Sequence, residues 1–177
     1  MRVIVLGANG QLRVEVVRHL AARGHKVTAF VRRPPNGLLG EAVEIRLGDA
    51  CERQDLIAAL PGHEVLVNAI GSGTLRKSDV ESATTAAAVA VAQQLGISRY
   101  IATSAGMVAL DWPLFNYVLR PLIFRHILAE HRRVEEIVKA SALRWTIVRP
   151  PKLMNGPPRG YAASLKIGTA RTRTGIR

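Results

Sequence analysis

Cysteine, aromatic residues and acidic residues are all scarce in this chain of 177 residues. Because Cys51 is the only cysteine, no internal disulfide is possible, and we expect a buried, inert thiol in a reducing, cytoplasmic compartment. Aromatic residues make up 5% of the chain, which is too few for a platform on which nucleic-acid bases stack. The 13 acidic residues against 25 Lys and Arg give a net charge of +12. Outside the C-terminal end this excess is scattered, so nucleic acid is not the expected main partner.

Long apolar runs are missing as well. No stretch reaches the roughly 18 apolar residues of a membrane span, and the apolar residues after Met1 give way to a glycine turn too soon for a secretory signal. The last nineteen positions hold five basic residues and no acidic ones. Residues 161–177 have few large apolar side chains and no clear period. We therefore expect one domain over 1–160, followed by a mostly flexible basic tail or the remains of a truncated substrate lobe.

Apolar stretches alternate with helical patterns from the first residue. The pattern predicts strands over 3–6, 26–31, 43–47, 64–69, 99–103 and 145–148. It predicts helices over 11–23, 52–60, 82–95 and 114–140, and Pro121 is expected to start or bend the last of these. Strands separated by helices indicate a parallel sheet that is covered on both faces. The fold class is therefore α/β, a doubly wound Rossmann-type sheet in a single domain.

A glycine-containing turn follows the first strand and opens the first helix. Early glycines let the chain turn tightly and bring backbone amides close to a pyrophosphate at the positive end of that helix. The position between strand and helix is the context that supports this interpretation; the alternative is an ordinary strand-to-helix turn. The dinucleotide-binding interpretation assigns the site to Gly7, Asn9, Gly10, Gln11 and Leu12.

The end of the second strand indicates which dinucleotide is bound. NAD-selective sites place an acidic residue about twenty residues after the glycine turn, where it bonds the ribose hydroxyls. Here the corresponding residues are Arg32 and Arg33. An arginine fork binds a 2′-phosphate through charge-assisted hydrogen bonds, although arginines at strand ends are often only solvated. We expect NADP(H) as the cofactor, with NAD possible.

Six short segments occur in an order that resembles a known family. They are Gly7-Ala8-Asn9-Gly10, Phe30-Val31-Arg32-Arg33, Gly48-Asp49-Ala50, Asn68-Ala69-Ile70-Gly71, Arg99-Tyr100-Ile101-Ala102-Thr103-Ser104 and Trp145-Thr146-Ile147-Val148-Arg149-Pro150. Their order and spacing over residues 1–160 resemble the atypical short-chain dehydrogenase/reductases. The similar branch is the NAD(P)-binding one that includes NmrA-like proteins and biliverdin reductase B (flavin reductase).

The resemblance implies further cofactor contacts, all at carboxyl ends of strands, where open α/β sheets bind ligands. For Asp49 a helix N-cap is an equal alternative. The implied contacts are Asp49 and Ala50 near the adenine, Ala69, Ile70 and Gly71 beneath the ribose and pyrophosphate, Thr103 and Ser104 beside the nicotinamide, and Pro150, Pro151, Lys152 and Leu153 closing over its side.

Arg13 departs from the family pattern, in which this position is normally a glycine that lets the helix pack closely on the sheet. Its helical phase places it among Val16, Val17 and Leu20, on the inward apolar stripe. A buried unpaired guanidinium is costly, so Arg13 either turns toward the cofactor phosphates or pushes the helix outward. The inward position favours obstruction.

The usual proton-transfer pair of short-chain dehydrogenases, a tyrosine with a lysine four residues later, is missing. Tyr100 is followed by Ser104, Tyr117 by Pro121, and Tyr161 by Leu165. Alcohol or ketone chemistry of the standard kind is therefore unsupported.

A hydride passed to a flavin-like or other conjugated acceptor relies on orientation and needs little acid–base help. By resemblance, the catalytic candidates are Ser104 and His131, with a strand-capping hydroxyl and a solvent-facing helical histidine as the alternatives. The remaining histidines have no neighbours at ligand spacing, so no metal site is expected. The leading hypothesis is an NADPH-dependent reductase acting on a small conjugated molecule. The other is a non-catalytic NAD(P)-binding redox sensor or regulator of NmrA-like type.

Overall fold

Six parallel strands carry the fold. The structure is a computed structural model that describes residues 1–7, 11–34, 43–71, 76–109, 113 and 115–150. The strand order in the sheet is β3-β2-β1-β4-β5-β6, and every neighbouring pair is parallel. The order reverses between β1 and β4, which is the point where such sheets bind ligands. The strands are β1 Arg2–Leu6, β2 Lys26–Val31, β3 Val43–Leu47, β4 Val65–Asn68, β5 Arg99–Thr103 and β6 Arg144–Val148.

Helices connect the strands and lie on both faces of the sheet. Gly24 and Gly96 follow α1 and α3 with φ angles of +77° and +68°, a left-handed conformation that glycine adopts at little cost and that ends a helix. A short 3-10 turn spans Gly106–Ala109. The helices are α1 Gln11–Ala22, α2 Arg53–Ala59, α3 Val80–Gln94 and α4 Arg125–Ala140.

The central strand β1 is buried on both faces, which explains its unbroken apolar sequence. Ile4 and Leu6 belong to the core that lies under α2, α3 and α4. Val3 and Val5 point to the other face, where Val17 of α1 is fully buried against them. Because both faces are packed, the sheet is fixed, and the carboxyl ends of its strands form a rigid edge.

The segment before α4 differs from the sequence-based expectation. The prediction that 114–140 is largely helical is confirmed over the described residues 115–140, but the turns are of two kinds: Phe115–Phe124 forms wider π-type turns, and α4 begins at Arg125. Pro121 lies inside the π segment and does not start the helix. A proline has no N–H and its ring clashes with the preceding turn, so regular α-helix begins only after it.

The expectation of a buried thiol is also wrong. Cys51 is exposed on the turn between β3 and α2, with its sulfur 3.2 Å from the hydroxyl of Thr84. The tail prediction for 161–177 and the domain boundary at 160 fall outside the described residues. Within the described ranges, no helix combines the length and apolar character that a membrane crossing requires.

Candidate functional site

Gly7, directly after β1, has a backbone conformation and surroundings that favour glycine. Gly7 has a φ of +75°, and its N–H donates to the carbonyl of Phe30 at 2.9 Å. A Cβ on Gly7 would lie 2.6 Å from Cγ1 of Ile70, so only glycine fits between these strand ends. Helix α1 begins at Gln11 and carries no acidic residue in its first turn. Its positive end is therefore not neutralised there, which fits a phosphate group.

Part of this turn lies outside the described residues. Asn9 and Gly10 are among those positions, and so are the side chains of Gln11, Leu12 and Arg13. Their predicted contacts stay predictions.

Arg32 and Arg33 lie exposed immediately after β2. Next to this strand end, Gly48 follows β3, and a Cβ there would come within 2.6 Å of the Phe30 ring. Both arginines follow the carboxyl end of β2, which lies beside the carboxyl end of β1 in the sheet. The predicted contact of Arg32 and Arg33 with a 2′-phosphate stays a prediction.

Asp49 makes a turn and does not cap α2. Its Oδ1 accepts a hydrogen bond from the N–H of Cys51 at 2.9 Å, and its own N–H donates to Oδ2 of Asp55 at 2.7 Å. The N-cap position of α2 is Glu52, so the N-cap alternative for Asp49 is wrong. Ala50 is buried beside it. The adenine contacts assigned to both residues remain predictions.

A buried amide holds the end of β4. Asn68 donates from Nδ2 to the hydroxyls of Thr85 and Tyr100, at 3.1 and 2.9 Å. Its Oδ1 accepts from the N–H of Ile70 at 3.1 Å, which fixes the path of the chain through Ala69 and Ile70 toward Gly71. The predicted passage beneath the ribose and pyrophosphate therefore has a rigid backbone.

The ends of β5 and β6 are tied together over the same edge. Thr103 donates its hydroxyl to the carbonyl of Asn68 at 3.2 Å. The N–H of Ser104 donates to the carbonyl of Val148, and the carbonyl of Pro150 accepts from Gly106, both at 2.8 Å. The structure thus brings Thr103, Ser104 and Pro150 to the predicted nicotinamide side. Pro151, Lys152 and Leu153 lie outside the described residues.

Glu135 of α4 lies buried beneath this corner. Its Oε1 accepts from the hydroxyl of Ser104 at 2.9 Å and from Nε of Arg149 at 2.7 Å, while Arg149 Nη2 and Lys139 Nζ contact Oε2. Burial raises the pKa of Glu135, but the hydrogen bonds from Arg149, Lys139 and Ser104 outweigh it and hold the pKa at about 2. Glu135 in turn raises the pKa of Arg149. The carboxylate is therefore ionised at neutral pH.

His131 lies one turn before Glu135 on the same face of α4. Its side chain is 12% exposed, and Nδ1 is 3.1 Å from Oε2 of the buried Glu81 in the first turn of α3. The two atoms are within the distance of an ion pair, but their geometry does not make a hydrogen bond. The solvent-facing alternative for His131 is therefore wrong. The neighbouring Glu130 accepts from the N–H of Ser82 at 2.7 Å, so α3 and α4 are joined twice near their first turns.

The described tyrosines offer no proton-transfer pair. Tyr100 is fully buried, and burial raises the pKa of its hydroxyl to about 12. Tyr117 is 82% exposed on the π segment, and Tyr161 is outside the described residues. Among the residues that the structure describes, no three His, Cys, Asp or Glu side chains form a metal-binding group.

Four residues of this corner were missed by sequence reasoning: Asn68, Glu81, Glu135 and Arg149. Asn68 and Arg149 stand inside segments that carry the family resemblance, and a polar side chain at the end of a buried strand is a signal for both. Glu81 and Glu135 lie in helices rich in charged residues, where sequence gives no sign that they are buried.

Comparison with known proteins agrees with this geometry. Residues 7–176 match the profile of a family described as NAD(P)H-binding. The chain is 30% identical over 176 residues to the uncharacterised sugar epimerase YhfK of Bacillus subtilis, which covers 94% of this chain and 78% of that protein. It is 30% identical over 186 residues to the 3-diazoavenalumate denitrifying reductase of a Streptomyces species, with coverages of 92% and 59%.

Solved structures give the same result. An NAD-dependent epimerase/dehydratase from Bacillus halodurans has a TM-score of 0.74 at 30% identity, over 91% of this chain and 75% of that one. The anaerobillin reductase ChuY of Escherichia coli O157:H7 has a TM-score of 0.70 over 88% and 75%; at 21% identity this likeness shows the fold alone. The chain spans only 59% of the length of the Streptomyces reductase.

Proposed function

Because the chain belongs to the NAD(P)H-binding family of atypical short-chain dehydrogenase/reductases, we propose that it is an NADPH-dependent reductase for a flavin-like or other conjugated small molecule. One observation carries this proposal: Gly7 and the described strand ends that we assign to the cofactor lie on one carboxyl edge of the sheet, and the described residues place no tyrosine–lysine pair beside them. A conjugated acceptor is the substrate class that requires least proton transfer from the protein.

The proposal assigns a role to each group of residues along the carboxyl edge of the sheet. Bound NADPH supplies a hydride from its nicotinamide. Arg32 and Arg33 hold the 2′-phosphate, and Ser104 and His131 are the candidate catalytic residues at the nicotinamide end. The other proposed cofactor contacts are Gly7, Asn9, Gly10, Gln11, Leu12, Asp49, Ala50, Ala69, Ile70, Gly71, Thr103, Pro150, Pro151, Lys152 and Leu153.

The chemistry of the described residues favours a reductase over an epimerase. The names of similar proteins do not decide this point, since they include both reductases and epimerases. Proton exchange with a sugar hydroxyl calls for a base such as an activated tyrosine. Tyr100 is sealed in the core with its pKa raised to about 12, so it does not supply that base. The single cysteine supports a cytoplasmic location.

A non-catalytic redox sensor of NmrA-like type is the second candidate. The observation in its favour is that Ser104 and His131 both contact buried carboxylates, Glu135 and Glu81. Such contacts also occur in purely structural networks. In the sensor proposal, the dinucleotide is bound and released but no acceptor is reduced.

An acceptor screen that follows the loss of NADPH absorbance separates the two candidates. We expect a flavin, quinone or bilin to be reduced by the intact protein. His131→Gln and Ser104→Ala should slow reduction by about tenfold or more, because an orienting or proton-donating group is lost, while NADPH binding stays largely intact. His19→Ala, on the exposed last turn of α1, is the matched control and should react normally. A protein that binds NADPH but reduces none of these acceptors would instead be the sensor.

A further inference from the structure

The hydroxyl of Ser104 is held in one orientation. Ser104 is 7% exposed, and its Oγ lies 2.9 Å from Oε1 of Glu135, which is 3% exposed. The backbone of Ser104 is fixed as well, since its N–H donates to Val148 where β5 and β6 end. Both the position and the rotation of the hydroxyl are therefore set by the fold.

The single proton of Ser104 is already used. A serine hydroxyl has one O–H donor and two acceptor lone pairs, whereas an ionised carboxylate only accepts. Glu135 is kept ionised by Arg149 and Lys139, so the proton in the contact belongs to Ser104. Toward a ligand, the Ser104 hydroxyl can therefore act only as a hydrogen-bond acceptor. A ligand group that binds there has to be a hydrogen-bond donor.

The carboxamide of a nicotinamide brings such a hydrogen on its NH2 group. We propose that Glu135 is a positioning residue that makes Ser104 a hydrogen-bond acceptor for this carboxamide N–H, and so selects the orientation of the nicotinamide ring. The proposal rests on the proposed function in that it requires a dinucleotide to bind at this edge.

The location favours the cofactor over the acceptor as the group that Ser104 contacts. Ser104 is buried at the base of the edge, directly after β5, and the chain beside it is fixed by Asn68 and Thr103. A cofactor that lies along the strand ends would contact a hydroxyl buried this deeply. An exchangeable substrate would bind above the cofactor and therefore farther from Ser104. It follows that Ser104 orients and does not donate a proton, which leaves His131 as the described side chain available for proton transfer.

Binding of dinucleotide analogues tests the proposal without any acceptor. Calorimetry would compare the oxidised dinucleotide that the protein binds more tightly, NADP or NAD, with two analogues. The thionicotinamide analogue keeps the NH2 group, and the 3-acetylpyridine analogue replaces it with a methyl group. We expect the thionicotinamide form to bind like the parent and the acetylpyridine form to bind about tenfold more weakly, because the lone pair of Ser104 is left without a donor.

Two variants test whether the difference in affinity between the parent dinucleotide and the acetylpyridine analogue depends on Ser104 and Glu135. In Ser104→Ala, the parent and the acetylpyridine analogue should bind equally. In Glu135→Gln, the discrimination should also shrink although Ser104 is present, because the amide side chain can donate to Ser104 and occupy its lone pair. Ser98→Ala removes a hydroxyl just before the opposite end of β5 and should leave the discrimination unchanged. Melting temperatures would show that each variant is folded.

The outcomes distinguish this inference from the function on which it rests. If neither NADP nor NAD binds, the proposed function fails and the inference fails with it. If the dinucleotide binds but the intact protein does not discriminate against the acetylpyridine analogue, the inference alone is overturned. Discrimination that persists in Ser104→Ala would also overturn it, since another residue would then contact the carboxamide.

Discussion

At the scale of single residues, three carboxylates with an exposure of 4% or less lie where α4 packs against α3 and against the ends of β5 and β6. Glu81 contacts His131, Glu130 accepts from the backbone of Ser82, and Glu135 accepts from Ser104. A buried carboxylate without partners is costly, so the fold keeps these contacts, and they fix the geometry of the predicted nicotinamide end of the edge.

Sequence reasoning proposed Ser104 and His131 as candidates but did not predict the carboxylates that contact them. Helical periodicity indicates which face of α4 is inward, and it does not say which side chain lies across the interface. The partners of these contacts are 31 and 48 residues apart where the hydrogen bonds are direct. Pairing over such distances is set by how the helices pack, which the sequence of either helix alone does not contain.

The depressed pKa of Glu135 predicts a specific acid sensitivity. Its value of about 2 in the folded protein lies below the ordinary 4.5. The group therefore contributes stability that is present above pH of about 4.5 and is lost as the pH falls toward about 2. Urea unfolding at several pH values should show this loss in the intact protein. In Glu135→Gln, stability should be lower at neutral pH and should change less between these two pH values.

If the stability of Glu135→Gln fell as steeply as that of the intact protein over this pH range, Glu135 would not be the source of the acid sensitivity. Glu15→Gln is a suitable control, because Glu15 forms an exposed pair with Arg18 on α1, and exposed pairs contribute little.

At the scale of elements, the six strands follow their predicted bounds closely. Most are short runs of mainly apolar residues, and the turns that bound the elements also follow the sequence: Gly7 after β1, and Gly24 and Gly96 after α1 and α3, have left-handed φ angles. The segment 115–124 was not predicted as a π segment. Helical propensity and apolar spacing are similar for α and π turns, and the choice between them depends on how Pro121 and its neighbours are accommodated.

For Arg13 of helix α1, the sequence leaves two alternatives: it obstructs close packing of the helix on the sheet, or it contacts the cofactor phosphates. Val17 is fully buried on its inward side, and Val14, Val16 and Leu20 pack against the same core. If Arg13 obstructs close packing, Arg13→Gly should tighten dinucleotide binding and raise the melting temperature, despite a helix cost of about 1 kcal/mol for glycine relative to alanine. If Arg13 contacts the phosphates, the same change should weaken binding by about 1.5–3 kcal/mol.

The dissociation constant and the melting temperature should be measured for Arg13→Gly and for the parent protein. The two alternatives, obstruction and phosphate contact, predict changes in dinucleotide affinity of opposite sign. We expect obstruction, and weaker binding in the glycine variant would contradict that expectation.

At the scale of the whole molecule, every described residue assigned to the cofactor lies on one edge of one sheet. That much follows from the sequence, because alternating strands and helices place the carboxyl ends of parallel strands together. The proposed preference for NADPH has a different basis, because it depends on the chemistry of Arg32 and Arg33 after β2 and not on the alternation of strands and helices. Strand patterns do not identify an acceptor.

The most direct test of the account is a calorimetric titration of the intact protein with NADPH and NADH at low salt. The account predicts that NADPH binds more tightly, by about tenfold or more, because the 2′-phosphate gains charge-assisted hydrogen bonds from Arg32 and Arg33. Added salt should narrow the difference, and replacing both arginines by alanine should remove most of it. Equal affinities for NADPH and NADH in the intact protein at low salt would contradict the account.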